Sequence, residues 1–256
     1  MKRTLIYPNL KQIPSQFHSL FEHSDVYDSS SSEIARVFYI DKEQGYFLKK
    51  APLGSLRREA DMTRFFHQYG LAAEVLVYYS DKQDWLLTPR IPGEDCVNST
   101  YLAEPERLCD TLAELLWKLH QIDPQDCPVY NLTEPYLETA VQNYKAGIFD
   151  PRRGCSSASE AWTIVEQNKH LLKADTLIHG DYCLPNIILD NWKFSGFIDV
   201  DNGGIGDRHV DIYWALWSLN YNLKTDRYGN RFLDAYGRSK IDLDALRTIS
   251  AIEALA

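Results

Sequence analysis

The stretch HGDYCLPN, residues 179–186, interrupts an apolar run, with TLI before it and IILD after it. A core strand gains nothing from a carboxylate, because an ionised group taken out of water is costly unless it is paired. Asp181 and Asn186 therefore read as loop residues five positions apart. The strand KFSGFI, which follows the turn DNWK, runs into Asp199. A tight hairpin of these two strands brings Asp199 back towards Asn186, gathering two carboxylates and one amide oxygen at one end of a small sheet. Hard oxygen donors with open positions suit Mg²⁺, which is held by one or two protein groups together with phosphates and water. A carboxylate that does not ligate metal can take the proton of an attacking hydroxyl.

An Asp, four residues, an Asn, and later an Asp at a strand end is the order of the catalytic and metal loops of kinases. Such a site also needs a strand lysine for the phosphates and a helix acid to hold it. Lys49 lies in GYFLKKA, and Glu59 follows ten residues later in SLRREADM. Alternation puts Phe47, Lys49 and Ala51 on one strand face and Lys50 on the other. Lys49 is the first choice and Lys50 the fallback. Each residue alone has an ordinary reading, since Asp and Asn often end strands and strand lysines are commonly solvated. It is their combination in this order that points to phosphoryl transfer.

These residues need elements to position them. EIARVFYI (33–40) and GYFLKKA (45–51) flank the turn DKEQG as a hairpin. A helix is expected over about Ser55–Tyr69, with Ser55 as N-cap, an inward face of Leu56, Ala60, Phe66 and Tyr69, and Gly70 as its stop. AEVLVYY (73–79) and DWLLTPR (84–90) read as strand, turn, strand. Pro92 and Gly93 in RIPGED continue neither element type, so a boundary is placed there, giving residues 1–91 and 92–256. The second part is helical. Leu108, Leu112, Leu115, Leu116 and Leu119 form an apolar stripe within 105–122. Further helices are expected near 135–147, 158–172 and 209–221, with two more closing the chain. Three short strands, TLIH, NIIL and KFSGFI, surround the interruption. The aromatic set Tyr213, Trp214, Trp217 and Tyr221 has helical spacing and reads as core. The fold class is α+β, a small antiparallel-sheet lobe with one helix followed by a larger, mainly helical lobe.

Composition limits the partners. The 256 residues carry a net charge of −9, and residues 91–256 hold 15 basic against 25 acidic residues. An acidic second part repels nucleic acid and anionic membranes and draws a cationic ligand. No apolar run approaches the ~20 residues of a membrane helix, and MKRTLIYPNLKQIP lacks the apolar core of a signal peptide. The five cysteines are odd in number and form no CxxC, as expected of reduced thiols without a zinc site. The expectation is a cytoplasmic protein, monomeric or weakly dimeric.

HGDYCLPNIILDNWKFSGFID followed by GGIGDRHVDI closely resembles the aminoglycoside 3′-phosphotransferases, relatives of the eukaryotic protein kinases. LHQIDPQDCP, FLK, RREADM and LLTPRIPG match in order and spacing, so the resemblance covers nearly the whole chain. It implies a two-lobed, protein-kinase-like fold and an enzyme that uses Mg²⁺ with ATP or GTP to phosphorylate a hydroxyl of a small, cationic molecule. An aminoglycoside leads as acceptor, with antibiotic resistance as the outcome; a sugar, aminocyclitol or amino alcohol is the alternative. By the same resemblance Asp181 is the catalytic base, Asn186 and Asp199 bind Mg²⁺, and Lys49 paired with Glu59 contacts the phosphates. Ser30 and Ser31 of the SSSS loop lie near the phosphates, and hinge backbone around Thr88, Arg90 and Ile91 meets the adenine. His179 and Asp211 brace the catalytic loop.

The chain departs from the family in three places. The loop that carries several acids in the aminoglycoside enzymes reads AGIFDPRRGCSSASEAW, offering Asp150 and Glu160 but also Arg152 and Arg153. VDNGG puts Asn202 where the family has an arginine. The C-terminus reads AIEALA, with Glu253 as its one acid. These changes bear on the acceptor and leave the transfer chemistry untouched. Two readings of other classes compete: a metal-dependent hydrolase built on His179, Asp181, His209 and Asp211, and a pseudokinase binding module. The first leaves Lys49, Glu59 and Asn186 unexplained, and the second usually lacks one of Lys49, Asp181 or Asp199.

Overall fold

The structure is a computed structural model describing residues 3–29, 31, 32 and 34–256. Its first elements are β1 (Arg3–Ile6), α1 (His18–Phe21), β2 (Asp25–Ser29), β3 (Arg36–Asp41), β4 (Tyr46–Pro52) and α2 (Arg57–Gln68). β5 (Val77–Ser80), β6 (Gln83–Pro89), β7 (Glu94–Asp95), α3 (Ser99–Leu102), α4 (Pro105–Leu119), α5 (Thr133–Lys145) and α6 (Ala158–Asn168) follow. The remainder is β8 (Thr176–Ile178), β9 (Ile187–Asp190), β10 (Lys193–Phe197), β11 (Gly204–Gly206), α7 (His209–Leu223), α8 (Gly229–Tyr236) and α9 (Leu243–Glu253). The chain divides into two compact units. One is Met1–Asp95 with Ile187–Asp201, the other Cys96–Asn186 with Asn202–Ala256. The sequence suggests a break at 91/92, whereas this division falls after Asp95 and adds the β9–β10 hairpin to the first unit.

The first unit is built on a six-stranded antiparallel sheet in the order β1-β2-β3-β4-β6-β5. Phe38, Ile40, Leu48, Trp85 and Leu87 point to one face and bury Phe17 and Val26 with them. On the other face Ala51 and Leu86 meet Leu56 and Ala60 of the α2 segment. Alternation along β4 therefore turns Lys49 towards α2 and Lys50 the opposite way, where its ammonium lies 5.3 Å from the Trp85 ring centre. The sheet has two strands that the pattern did not announce. β1 is exposed or half-buried throughout and β2 reads DVYDS, so neither shows an apolar alternation.

The start of α2 also differs from the expectation. Ser55 donates its hydroxyl to the Pro52 carbonyl, and no side chain on the helix caps it. The buried carboxylate of Asp84, from β6, takes that part instead. It accepts from the Leu56 N–H at 3.0 Å, the Tyr78 hydroxyl at 3.0 Å and the Ser80 hydroxyl at 2.7 Å. Tyr69, expected inward, follows the end of the helix and is 44% exposed.

β9 and β10 form a second sheet with β7, in the order β10-β9-β7. Gly93 allows β7 to approach, since a Cβ there would lie 2.2 Å from the Leu189 carbonyl oxygen. Phe197 closes the hairpin onto the segment after α2. Its N–H donates to Leu71 O at 2.7 Å and its ring packs edge-on against Phe66.

In the second unit β8 pairs with β11 alone, so the three strands expected around the loop belong to two sheets. The stripe on α4 is confirmed at Leu108, Leu112, Leu116 and Leu119, all buried, with Leu115 half-buried at its edge. α6 and α9 pack through Ala161, Val165, Ile249 and Ile252. Ala254 and Leu255 are fully buried, so the last residues are part of the core.

Asp84 is the point at which strand β6 sets the start of α2. Burial favours its neutral form, but the hydrogen bonds from Ser80, Gly54, Leu56 and Tyr78 outweigh this and lower its pKa. A depressed carboxylate adds stability above the unfolded value and loses it as pH falls through the folded one. Asp84→Ala leaves buried donors unpaired and should cost about 1–3 kcal/mol in urea unfolding at pH 7. The gap from the wild type should narrow below about pH 4; equal stability at pH 7 would contradict this assignment.

Candidate active site

β4 and α2 bring Lys49 and Glu59 together within the first unit. The Lys49 ammonium stands 2.7 Å from Glu59 Oε2 and 3.2 Å from Asp199 Oδ1. Asp199 follows β10 with φ of 53°, a left-handed backbone that Asp tolerates better than most residues. Its side chain is 53% exposed, whereas those of Lys49 and Glu59 are largely enclosed. Burial works against the Lys49 charge, but Glu59 and Asp199 outweigh it and raise the lysine pKa above its ordinary value. Burial also pushes the Glu59 carboxyl up to about 7, with Lys49 pulling it down. The two shifts pull opposite ways on one contact. Two carboxylates on one ammonium at these distances keep the lysine charged.

In the second unit the loop after β8 holds Asp181 and Asn186. The Asn186 amide donates to Asp181 Oδ2 at 2.8 Å and to its carbonyl oxygen at 3.0 Å. That leaves the Asn186 amide oxygen turned away from Asp181. Asp211, fully buried at the start of α7, holds the loop. Its carboxylate accepts from the His179 N–H at 2.7 Å and the Gly180 N–H at 2.8 Å. His120, from the end of α4, is 3.2 Å from Asp211 and 2.7 Å from the Tyr236 hydroxyl. Burial lowers the His120 pKa against the pull of Asp211, so a neutral ring donating to Asp211 and accepting from Tyr236 fits both contacts. The Asp181 N–H donates to His179 Nδ1 at 3.3 Å. Gly180 has φ of 80°, and a Cβ there would lie 2.0 Å from Asn202 O, so only glycine fits. The brace expected of His179 and Asp211 is present, and His120, which the sequence pattern does not single out, is part of it.

Tyr182 is fully buried and donates to Leu112 O. Burial and then Asp181 raise the Cys183 thiol pKa, which leaves it a poor nucleophile. Asn186 is joined directly to β9, and the β9–β10 register sets Ile187 opposite Phe197, two residues before Asp199. Asn186 and Asp199 both offer hard oxygens. Among the described residues no cluster of three His, Cys, Asp or Glu forms a metal cage. Mg²⁺ needs none, because water and phosphate complete its shell, and an amide or carboxylate oxygen is the kind of donor it takes.

The remaining candidates fall outside these two groups. Ser31 Oγ accepts from Val37 N, and Ser32 Oγ from Ala35 N, each at 3.0 Å; Ser30 lies outside the described residues. Thr88 is opposite Phe47 in the β4–β6 ladder, Arg90 N donates to Gly45 O, and Ile91 covers Gly196. Asp150 is gripped by Arg152, whose hydrogen bonds lower its carboxyl to about 2. Glu160 accepts from Ser156 N, and its own N–H donates to Ser157 Oγ, which is how a helix start is capped. Glu253 is buried and accepts from the Tyr136 hydroxyl at 2.6 Å. Burial raises its pKa, and the Asp181 charge adds to the rise. The aromatic set on α7 is only part core, for Trp214 and Trp217 are half-buried and Tyr221 is 58% exposed. The hydrolase reading fails on His209, whose Nδ1 is 2.6 Å from Asp207 and whose Nε2 accepts from Asp242 N.

Lys49 is the main influence holding Glu59 ionised. In Lys49→Met the Glu59 carboxyl should rise above 7 and be mostly protonated at pH 7, visible as a stronger infrared carboxylic-acid band than in the wild type. An unchanged carboxylate spectrum at pH 7 would refute the pairing.

The sequence family described as the phosphotransferase enzyme family matches residues 29–249. A probable aminoglycoside 3′-phosphotransferase of Lactococcus lactis is 46% identical over 250 residues, covering 96% of this chain and 95% of the relative. An aminoglycoside 3′-phosphotransferase of Niallia circulans is 33% identical over 64% of each chain. Among solved structures, an aminoglycoside 3′-phosphotransferase of type VIII superposes with a TM-score of 0.75 at 22% identity, covering 96% of this chain and 99% of that one. A Streptomyces rimosus aminoglycoside phosphotransferase in complex with ADP and streptomycin superposes with a TM-score of 0.74 at 19% identity, covering 97% and 99%. The fold is thus the mixed α+β, kinase-like fold of these enzymes. No helix among the described residues is long and apolar enough to cross a membrane. The chain belongs to the phosphotransferase enzyme family and is an O-phosphotransferase.

Proposed function

We propose that the enzyme transfers the γ-phosphoryl group of ATP to a hydroxyl of an aminoglycoside, with Mg²⁺ as its metal. The observation that carries this reading is the Lys49 ammonium, kept charged by Glu59 and Asp199 at 2.7 and 3.2 Å. A largely enclosed cation with two partners of its own unit is a ready counter-charge for phosphate oxygens. The near-full-length likeness to a probable aminoglycoside 3′-phosphotransferase supports the acceptor. So does the excess of ten acidic over basic residues in 91–256, which attracts a polycation.

Asp181 takes the proton of the acceptor hydroxyl as that oxygen attacks the γ-phosphorus. The bond from the γ-phosphorus to the bridging oxygen breaks and ADP leaves. Asn186 orients the Asp181 carboxylate through the 2.8 Å contact, and the Asp211 brace keeps the loop from swinging. Asn186 and Asp199 are the residues assigned to hold Mg²⁺, which when bound offsets the phosphate charge. Lys49 binds the α and β phosphates, and the hinge at Thr88, Arg90 and Ile91 receives the adenine.

Asp181→Asn keeps the shape of the side chain and loses its basicity. It should retain ATP affinity while kcat for aminoglycoside-dependent ADP release falls ~10²–10⁴-fold; wild-type turnover would remove Asp181 from its role. Asp199→Ala should weaken ATP binding by calorimetry when Mg²⁺ is present and leave Mg²⁺-free binding nearly unchanged. Equal losses in both conditions would assign Asp199 to the lysine alone.

A further inference from the structure

In the second unit, α5 and α6 border an open groove of about 430 Å³ that no step of the transfer uses. Each helix gives it one stripe with the spacing i, i+3, i+4, i+7, which is the spacing of a single helix face. The α5 stripe is Glu134, Leu137, Glu138 and Val141. The other is Trp162, Val165 and Glu166 of α6, continued by Lys169 just past its end. Tyr136, which donates to Glu253, and the buried Ala140 lie on a different face of α5. The groove is therefore separate from the Glu253 contact.

Its floor and its rim differ in chemistry. Leu137, Val141 and Leu172 are half-buried and Val165 is buried, so the floor is apolar. The half-buried Trp162 ring is stacked on Tyr144, with centres 5.0 Å apart and planes 10° apart, which fixes its orientation. On the rim, three carboxylates (Glu134, Glu138 and Glu166) stand against one base among the described lining residues, Lys169. That base is already engaged, its ammonium 2.8 Å from Glu166. Glu134 accepts from the Asn131 amide at 2.9 Å, a neutral donor that leaves the carboxylate charge uncompensated. Glu138 adds a second charge one turn further along the same stripe. The α5 side of the groove is thus anionic above an apolar floor.

We propose that this groove binds a small organic cation with an apolar body, at a site separate from the transfer chemistry. Its volume falls within the ~300–1,000 Å³ of small-ligand sites, which are mostly apolar with a few placed polar groups. The ammonium stands at Glu138 and Glu134, while the body covers Leu137, Val141 and the Trp162 ring, whose face also attracts a cation. An anionic ligand would meet two like charges. A sugar, hydroxylated all round, would set polar groups against the apolar floor without partners, so an aminoglycoside is a poor occupant. The site does not depend on which acceptor the enzyme phosphorylates.

The test titrates the full chain with phenethylamine, phenethyl alcohol and ethylamine, read by NMR shifts of backbone amides and indoles. Phenethylamine should move the amides along 134–141 and 162–169 and bind ~3-fold tighter than the alcohol, within the worth of one exposed ion pair. Ethylamine, which keeps the charge and drops the ring, should bind more weakly than phenethylamine. Glu138→Gln changes an exposed side chain. It should cost phenethylamine ~3-fold in affinity and leave the affinity for the alcohol unchanged. Equal affinity for phenethylamine and the alcohol, or for the two amines, would overturn the site. So would an unchanged phenethylamine affinity in Glu138→Gln, or an absence of shifts along the two helices. None of these results touches the phosphotransferase reading, because binding and not turnover is measured.

Discussion

The ion group of Lys49, Glu59 and Asp199 is the constraint on which the rest of the first unit depends. Lysine is buried only at a cost, and on a strand facing a helix it would lose its proton without an acid nearby. Glu59 supplies that acid from the helix and Asp199 from the hairpin, so three elements distant in sequence meet on one ammonium. The surrounding features keep the geometry. Asp84 caps α2 at Leu56, three residues before Glu59. Phe197 ties the hairpin to the segment after α2, and Gly93 lets β7 brace that hairpin from its other edge.

The second unit solves a different problem with the same economy of parts. A loop that must present a carboxylate cannot rely on strand hydrogen bonds, so a buried Asp211 satisfies the two backbone N–H groups just before Asp181. A neutral His120 and Tyr236 then keep Asp211 from being an isolated charge. The loop is thus held by buried hydrogen bonds, which is what the base proposed at Asp181 requires.

Much of this was legible in the sequence because side-chain chemistry and period speak together. Lys49 and Lys50 differ only by strand face, and alternation chose the residue that faces α2. Asp211 was legible as a brace through its place in GGIGDRHVDI. Other features carry no linear signal. β1 is exposed or half-buried throughout and β2 reads DVYDS, so no apolar alternation marks them. Ser55 has the composition of a cap, yet the cap comes from Asp84, 28 residues away from Leu56, through a contact made only in the folded sheet. His120 ends an apolar helix stripe and looks like any boundary polar residue. The α7 aromatics share the spacing of a core helix, and only the packed structure sets Tyr213 and Trp214 beside Arg153.

The central claim is that Lys49 and Glu59 act as one unit in phosphate binding. A double-mutant cycle on kcat/KM for ATP, with Lys49→Met, Glu59→Gln and both together, tests it most directly. The account predicts that the double variant is no worse than Lys49→Met alone, since Glu59 acts only through the lysine. Losses that simply add would contradict it.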